Sequence, residues 1–260
     1  MSLLLKLLIA PLIIGGTSLA SRRLGPAIAG WLVSLPLTSG PVVLFVLLEQ
    51  GSTFAVAVGS ASLAGGFALC AFSLAYARMA VRRGALASLA VASAGYLLFA
   101  AAVDVVGTGS LAILIPAVAL ALVVTLRLLP DEPVSRPIAA PPPWDLPLRI
   151  LVGTLLIVGI TSLAPILGPR ASGLAATYPV YVTTLTIFAH RDGGSGAAVA
   201  MLRGLILGLF GWLAFFSVLL TTLPGLGVGA FGGAILAALT VQALSLRILR
   251  STPIPGEAAP

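Results

Sequence analysis

Residues 27–51 read AIAGWLVSLPLTSGPVVLFVLLEQG, and residues 171–194 read ASGLAATYPVYVTTLTIFAHRDGG. Each is an apolar run of bilayer-spanning length with proline at its centre. A shift of 143 residues lays one on the other without a gap, pairing Gly30 with Gly173, Pro36 with Pro179, Phe45 with Phe188 and Gly51-Ser52 with Gly194-Ser195. Glu49 falls opposite Asp192. The register extends outward to Leu24-Gly25-Pro26 on Leu167-Gly168-Pro169, Ala55-Val56-Ala57 on Ala198-Val199-Ala200, Gly65 on Gly208 and Phe67 on Phe210. Across residues 24–67 there are 13 identities in 44. A chain this rich in Ala, Leu and Gly matches itself at about one position in ten, so the unit reads as an internal duplication.

The composition sets what such a unit can be. Of 260 residues, 59% are hydrophobic and 8% charged, with a mean hydropathy of +1.17. Soluble domains carry charge on roughly a quarter of their residues, so this chain belongs in a membrane. The excess of 14 Lys and Arg over 7 Asp and Glu would suggest nucleic-acid binding in a soluble protein. Here the charges sit at the ends of apolar runs, and no nucleic-acid partner is expected. The single cysteine, Cys70, lies in an apolar stretch and excludes disulfides and thiolate metal clusters.

Apolar runs separated by charge, Pro or Gly place about nine spans, near 4–21, 27–48, 54–77, 85–105, 109–129, 149–169, 171–190, 197–221 and 226–246. Alternate loops then collect Arg22, Arg23, Arg78, Arg82, Arg83, Arg127, Arg136, Arg149, Arg191, Arg203, Arg247 and Arg250 on one side, leaving Lys6 and Arg170 on the other. That bias puts the N-terminus outside and the C-terminus in the cytoplasm. The first run has the look of a signal peptide, but its counterpart near Arg149 argues for a retained span. The repeats begin an odd number of spans apart, so they cross the membrane in opposite senses. The expected fold is an all-α polytopic bundle of two inverted-topology four-helix repeats, 1–105 and 149–250. Residues 106–148 supply a linker span and a Pro-rich cytoplasmic loop, with Trp144 at headgroup level, and 251–260 form a cytoplasmic tail.

Proline within a span removes a backbone donor and frees carbonyls, here near Leu32, Leu37 and Ala175 for Pro36, Pro41 and Pro179. In hydrocarbon such groups need a helix, water or ligand. Hydroxyls gather at the same depth, which makes Ser34, Pro36, Thr38, Ser39, Thr177, Tyr178, Pro179 and Tyr181 the candidate solute site, with Thr183 and Thr184 nearby. Glu49, Asp104, His190, Asp192 and Arg203 are candidates for gating or coupling; Arg203 either snorkels to the cytoplasm or pairs with Asp192. Half-helix N-termini at the break would favour an anionic or zwitterionic group.

No nucleophile with a base, no paired acids and no metal-ligand spacing occur, so an enzyme is not expected, nor any cofactor or metal. A secondary transporter of a small polar or amphiphilic solute fits best. An accessory subunit of a membrane complex and a channel remain alternatives, although a channel calls for polar residues along a whole pore. Lipid and a small-molecule solute are the expected partners, and a homodimer is compatible with so small a bundle. The stretch Ala29-Gly30, Pro36 and Glu49-Gln50-Gly51 resembles the small bacterial inner-membrane proteins of the GlpM type, which look like single copies of this unit. The second copy has Ser172-Gly173, Pro179 and Asp192-Gly193-Gly194 at the same spacing. The resemblance implies a bacterial cytoplasmic membrane and a duplicated ancestry; it carries over no substrate and no catalytic residue.

Overall fold

A computed structural model describes residues 26–107, 109–133 and 143–251. The expected first span at 4–21, the centre of the Pro-rich loop and the tail beyond 251 lie outside the described residues. Within them the regular structure is helical throughout: α1 Pro26–Val33, α2 Ser39–Gln50, α3 Ser52–Ala80, α4 Ala85–Val106, α5 Leu111–Leu128, α6 Asp145–Thr177, α7 Val180–Leu226 and α8 Ala230–Ser251. A short 3-10 turn, Gly227–Gly229, joins α7 to α8.

Four stretches are long and apolar enough to cross a membrane: Ser52–Ala80, Ala85–Val106, Leu111–Leu128 and the run Leu185–Arg247, which passes from α7 into α8. The protein is therefore an all-α membrane protein. The spans expected at 27–48 and 171–190 are not single helices. The first is divided into α1 and α2, of 8 and 12 residues, each shorter than the roughly 20 residues a crossing needs. The second is divided between α6 and α7 at Tyr178-Pro179.

Two longer helices carry joints where the backbone leaves helical geometry. Gly168 (φ 74°, ψ 169°) sets off a 169–177 arm at the end of α6, and Gly194 (φ 79°, ψ −172°) sets off a 180–193 arm at the start of α7. Gly51, the residue equivalent to Gly194, has φ 85° and ψ 175° between α2 and α3. A left-handed φ is costly for residues bearing a Cβ, which accounts for glycine at both positions of the repeat.

Burial separates a central pair from a rim. In their most apolar windows, 72% of α3 is buried against 11% of α4 and 22% of α5. The α7 helix packs on α1, α3, α5 and α8, and α3 packs on α4, α5, α6 and α7. Buried Phe45, Phe72, Tyr76, Leu202, Ile206 and Phe216 fill the shared core. The outer faces of α4, α5 and α8 carry exposed Leu98, Val105, Ile113, Leu120, Leu236 and Leu239. Scattered apolar exposure of this kind suits helices bathed in lipid.

A cavity between two broken helices

The two breaks repeat one another bond for bond. In the first, Leu35 N–H turns back to Leu32 O at 3.3 Å, Leu37 N–H reaches Leu35 O at 2.7 Å, and helical bonding resumes with Gly40 N–H to Pro36 O at 2.9 Å. In the second, Tyr178 N–H turns back to Ala175 O at 3.3 Å, Val180 N–H reaches Tyr178 O at 2.9 Å, and Thr183 N–H takes Pro179 O at 2.8 Å. All three bonds correspond under the shift of 143 residues.

This pattern corrects two expectations. The carbonyls of Leu32 and Ala175 do not go unpaired, because the N–H three residues on takes each of them. The carbonyls that lose their helical donors include those one position earlier, at Trp31 and Leu174. Pro41 does not interrupt a helix, since it lies in the first turn of α2; the helical bonds of Gly40 to Pro36 O and Val42 to Thr38 O flank it, so its missing N–H leaves the Leu37 carbonyl without a helical donor, as expected.

The displaced carbonyls are satisfied by side chains from distant helices. Trp31 O accepts from Ser34 Oγ at 2.6 Å and from Gln242 Nε2 of α8 at 2.7 Å. Leu174 O accepts from the Tyr96 hydroxyl of α4 at 2.9 Å. A buried carbonyl without a donor costs its desolvation, about 1–3 kcal/mol, so these bonds are what permit the chain to break inside the core.

Close helix approach recurs in the same register. A Cβ at Gly30 would strike the Met201 carbonyl, and one at Gly173 would strike the Val58 carbonyl and the Ala61 side chain. Ser34 lies against Gly208 and Thr177 against Gly65. In the 143-residue register, the first half of each broken helix packs on equivalent turns of α7 and α3 respectively.

Between the breaks is a cavity of about 60 Å³, lined by residues from both. Twelve of the sixteen lining residues form six pairs related by the shift: Val33 with Ala176, Ser34 with Thr177, Leu35 with Tyr178, Leu37 with Val180, Ser39 with Val182, and Leu69 with Trp212. That volume holds a few waters or one small solute. None of the described lining residues is charged.

Of the eight candidate solute-site residues, Ser34, Thr38, Ser39, Thr177, Tyr178 and Pro179 line this cavity. Pro36 shapes the break without lining it, and the side chain of Tyr181 lies outside the described residues, as does that of Thr184. Several hydroxyls already have structural work. Ser34 caps Trp31 O, Thr177 donates to Gly173 O at 2.8 Å and approaches Ser62 O at 3.3 Å, and Thr183 donates to Pro179 O at 2.7 Å. Ser39 Oγ accepts the Trp212 indole N–H at 3.3 Å, leaving its own proton to offer. Thr38 makes no capping bond to α2, and the Tyr178 hydroxyl shares a 3.1 Å bond with Ser93. The polar groups available to a solute are therefore those of Thr38, Ser39 and Tyr178.

None of the five gating or coupling candidates lines the cavity. Glu49 and Asp192 are half-buried at helix ends, just before the jointed Gly51 and Gly194. Asp104 is exposed, and its backbone carbonyl accepts from Arg170 at 3.0 Å. His190 Nδ1 lies 3.4 Å from the Tyr76 hydroxyl, with the two rings in edge contact. Arg203 is not paired with Asp192; it bridges Asp131 at 2.7 Å and donates to Pro130 O, because α7 passes the start of the Pro-rich loop. Trp144, half-exposed beyond that loop, packs its ring at a tilt against Phe188, with centroids 5.4 Å apart.

Sequence reasoning missed Trp212, Gln242 and Tyr96. Gln242 had a usable signal, being a lone amide within an apolar helix, where polar side chains are costly unless they have a task. No family model matches this chain, and no curated protein or solved structure does either.

Proposed function

We propose that the protein is a secondary transporter of a small polar solute, binding it in the cavity between the two breaks and exposing it to each face of the membrane in turn. The observation that carries this reading is the paired lining: six pairs of residues 143 apart line one uncharged cavity. In this proposal the chain has nine spans in two inverted repeats, with the N-terminus outside and the C-terminus inside a bacterial cytoplasmic membrane. Inversion makes the halves interchangeable in role, so that two asymmetric arrangements of one fold open to opposite sides.

The α2 helix and the 180–193 arm both start at the cavity, and the positive ends of their backbone dipoles favour an anionic or zwitterionic group. With no basic side chain among the described lining residues, such a solute would be held by hydroxyls and amides and would be small. The GlpM-type resemblance adds a dimer-like ancestry to this proposal and no substrate.

The test is flux in proteoliposomes, after a thermal-stabilisation screen of inorganic anions and amino acids on the purified protein. Saturable flux is expected, and Thr38→Val or Tyr178→Phe should reduce it at least tenfold by deleting a hydroxyl from the site. Absence of stabilisation and flux together with a stoichiometric copurifying partner would replace transport by the accessory role.

A further inference from the structure

The two side chains that satisfy the displaced carbonyls also touch the cavity lining. Gln242 Nε2 donates to Trp31 O and stands 3.1 Å from Ser34 Oγ, a lining group. The ring of Tyr96, whose hydroxyl donates to Leu174 O, meets the ring of lining Tyr178 edge-on at 5.1 Å. The acceptors, Trp31 and Leu174, are equivalent residues of the repeat, yet the donors come from different helices and have different chemistry. We infer that Gln242 and Tyr96 are counterpart latches, each fastening the half-helix that seals one side of the cavity, so that releasing one opens the site to one face of the membrane and releasing the other opens it to the opposite face.

The inference rests on the alternating-access reading above and adds the elements that would switch it. The half-helix α1 is held against α7 and α8, with Gln242 on α8; the 169–177 arm is held on α3, with Tyr96 on α4. In the inverted arrangement α1 occupies the cytoplasmic half of its span and the 169–177 arm the outer half of its own. A solute against Ser34 or Tyr178 therefore presses on a residue already bonded to, or in edge contact with, a latch. One hydrogen bond is a suitable latch: its loss shifts a two-state population by roughly tenfold, enough to bias an equilibrium without freezing it.

The latches are unequal. The Gln242 side is also fastened by the Trp31 indole N–H to Ser245 Oγ at 2.8 Å, and Trp31 O keeps Ser34 as a second donor. Leu174 O accepts from Tyr96, with no such second fastening among the described residues, so the outer side yields more when its latch is cut.

Sided labelling of the full chain tests this. Leu37→Cys reports from the cavity lining in a Cys70→Ser background, and a membrane-impermeant maleimide is applied to right-side-out and inverted vesicles. Tyr96→Phe should raise the outer-to-inner labelling ratio roughly tenfold, and Gln242→Leu should lower it several-fold; Gln242→Met replaces the leucine variant should that one not accumulate. Labelling from both faces with a ratio that neither variant moves, or that both move in the same sense, overturns the latches and leaves transport standing. A reporter that reacts from one face alone in every variant, the parent included, overturns alternating access and the latches with it.

Discussion

The break at 34–38 and the break at 178–179 share a backbone and differ in what surrounds it. Their turn-back bonds have the same length, 3.3 Å, and the same register. Their donors are an amide in one case and a phenol in the other. Across the cavity the contrast continues, with Leu69 on one wall where Trp212 stands on the equivalent one. Backbone geometry here follows from proline and from tight packing against a neighbouring helix, both of which the repeat preserves. Side chains have only to satisfy a carbonyl and fill a space, and several chemistries do that equally well. The two sides of the cavity are thereby free to differ in strength while remaining alike in shape.

The most severe way to break the likeness is at the close approaches. Gly30→Val and Gly173→Val each place a Cβ against a backbone carbonyl that cannot give way, and overpacking of this kind costs about 3 kcal/mol or more. Both should lower the thermal unfolding midpoint in detergent by a comparable amount; a variant that leaves the midpoint unchanged shows that its half-helix does not pack as described.

Cutting the displaced-carbonyl bonds separates the two sides. Tyr96→Phe leaves Leu174 O without its phenol donor and should cost about 1–3 kcal/mol. Gln242→Leu should cost less, about 1 kcal/mol, because Trp31 O retains Ser34 and because the buried Gln242 Oε1, which lacks a partner among the described residues, disappears with the amide. Urea or thermal titration of both variants gives the order, and a reversed order would show that Ser34 does not back up the Gln242 bond to Trp31 O.

The smallest effect is expected where one half has a feature the other lacks. Arg203 pairs with an Asp131 side chain that is 85% exposed, and the residue equivalent to Arg203 is Ser60. A solvated pair is worth at most about 1 kcal/mol, so Asp131→Ala should barely move the midpoint, and less still in high salt.

Much of this site is legible in the linear chain, because Pro36 and Pro179 interrupt apolar runs and recur at a fixed interval. Proline acts on the carbonyl four residues back, so a local rule locates the break. The same rule makes Pro41 a break, whereas a proline in the first turn of a helix deletes one bond without interrupting it. It also misses by one residue which carbonyl is displaced, because Leu35 and Tyr178 re-form shorter turns. Tyr96 and Gln242 lie 78 and 211 residues from their acceptors. Only the packing of α4 and α8 delivers them, and neither periodicity nor spacing carries that information. Arg203 shows the same gap: the charge is evident in the sequence, and its partner is chosen by which loop passes overhead.

The glycine approaches carry a consequence for leakage. Where Gly30 meets the Met201 carbonyl and Gly173 meets the Val58 carbonyl, main chain lies on main chain with no room for even a Cβ between them. In a membrane that holds a voltage, an aqueous thread through a protein would discharge it. Enlarging either glycine would part the two main chains, so the same two residues that let the helices meet also keep the seam between them shut.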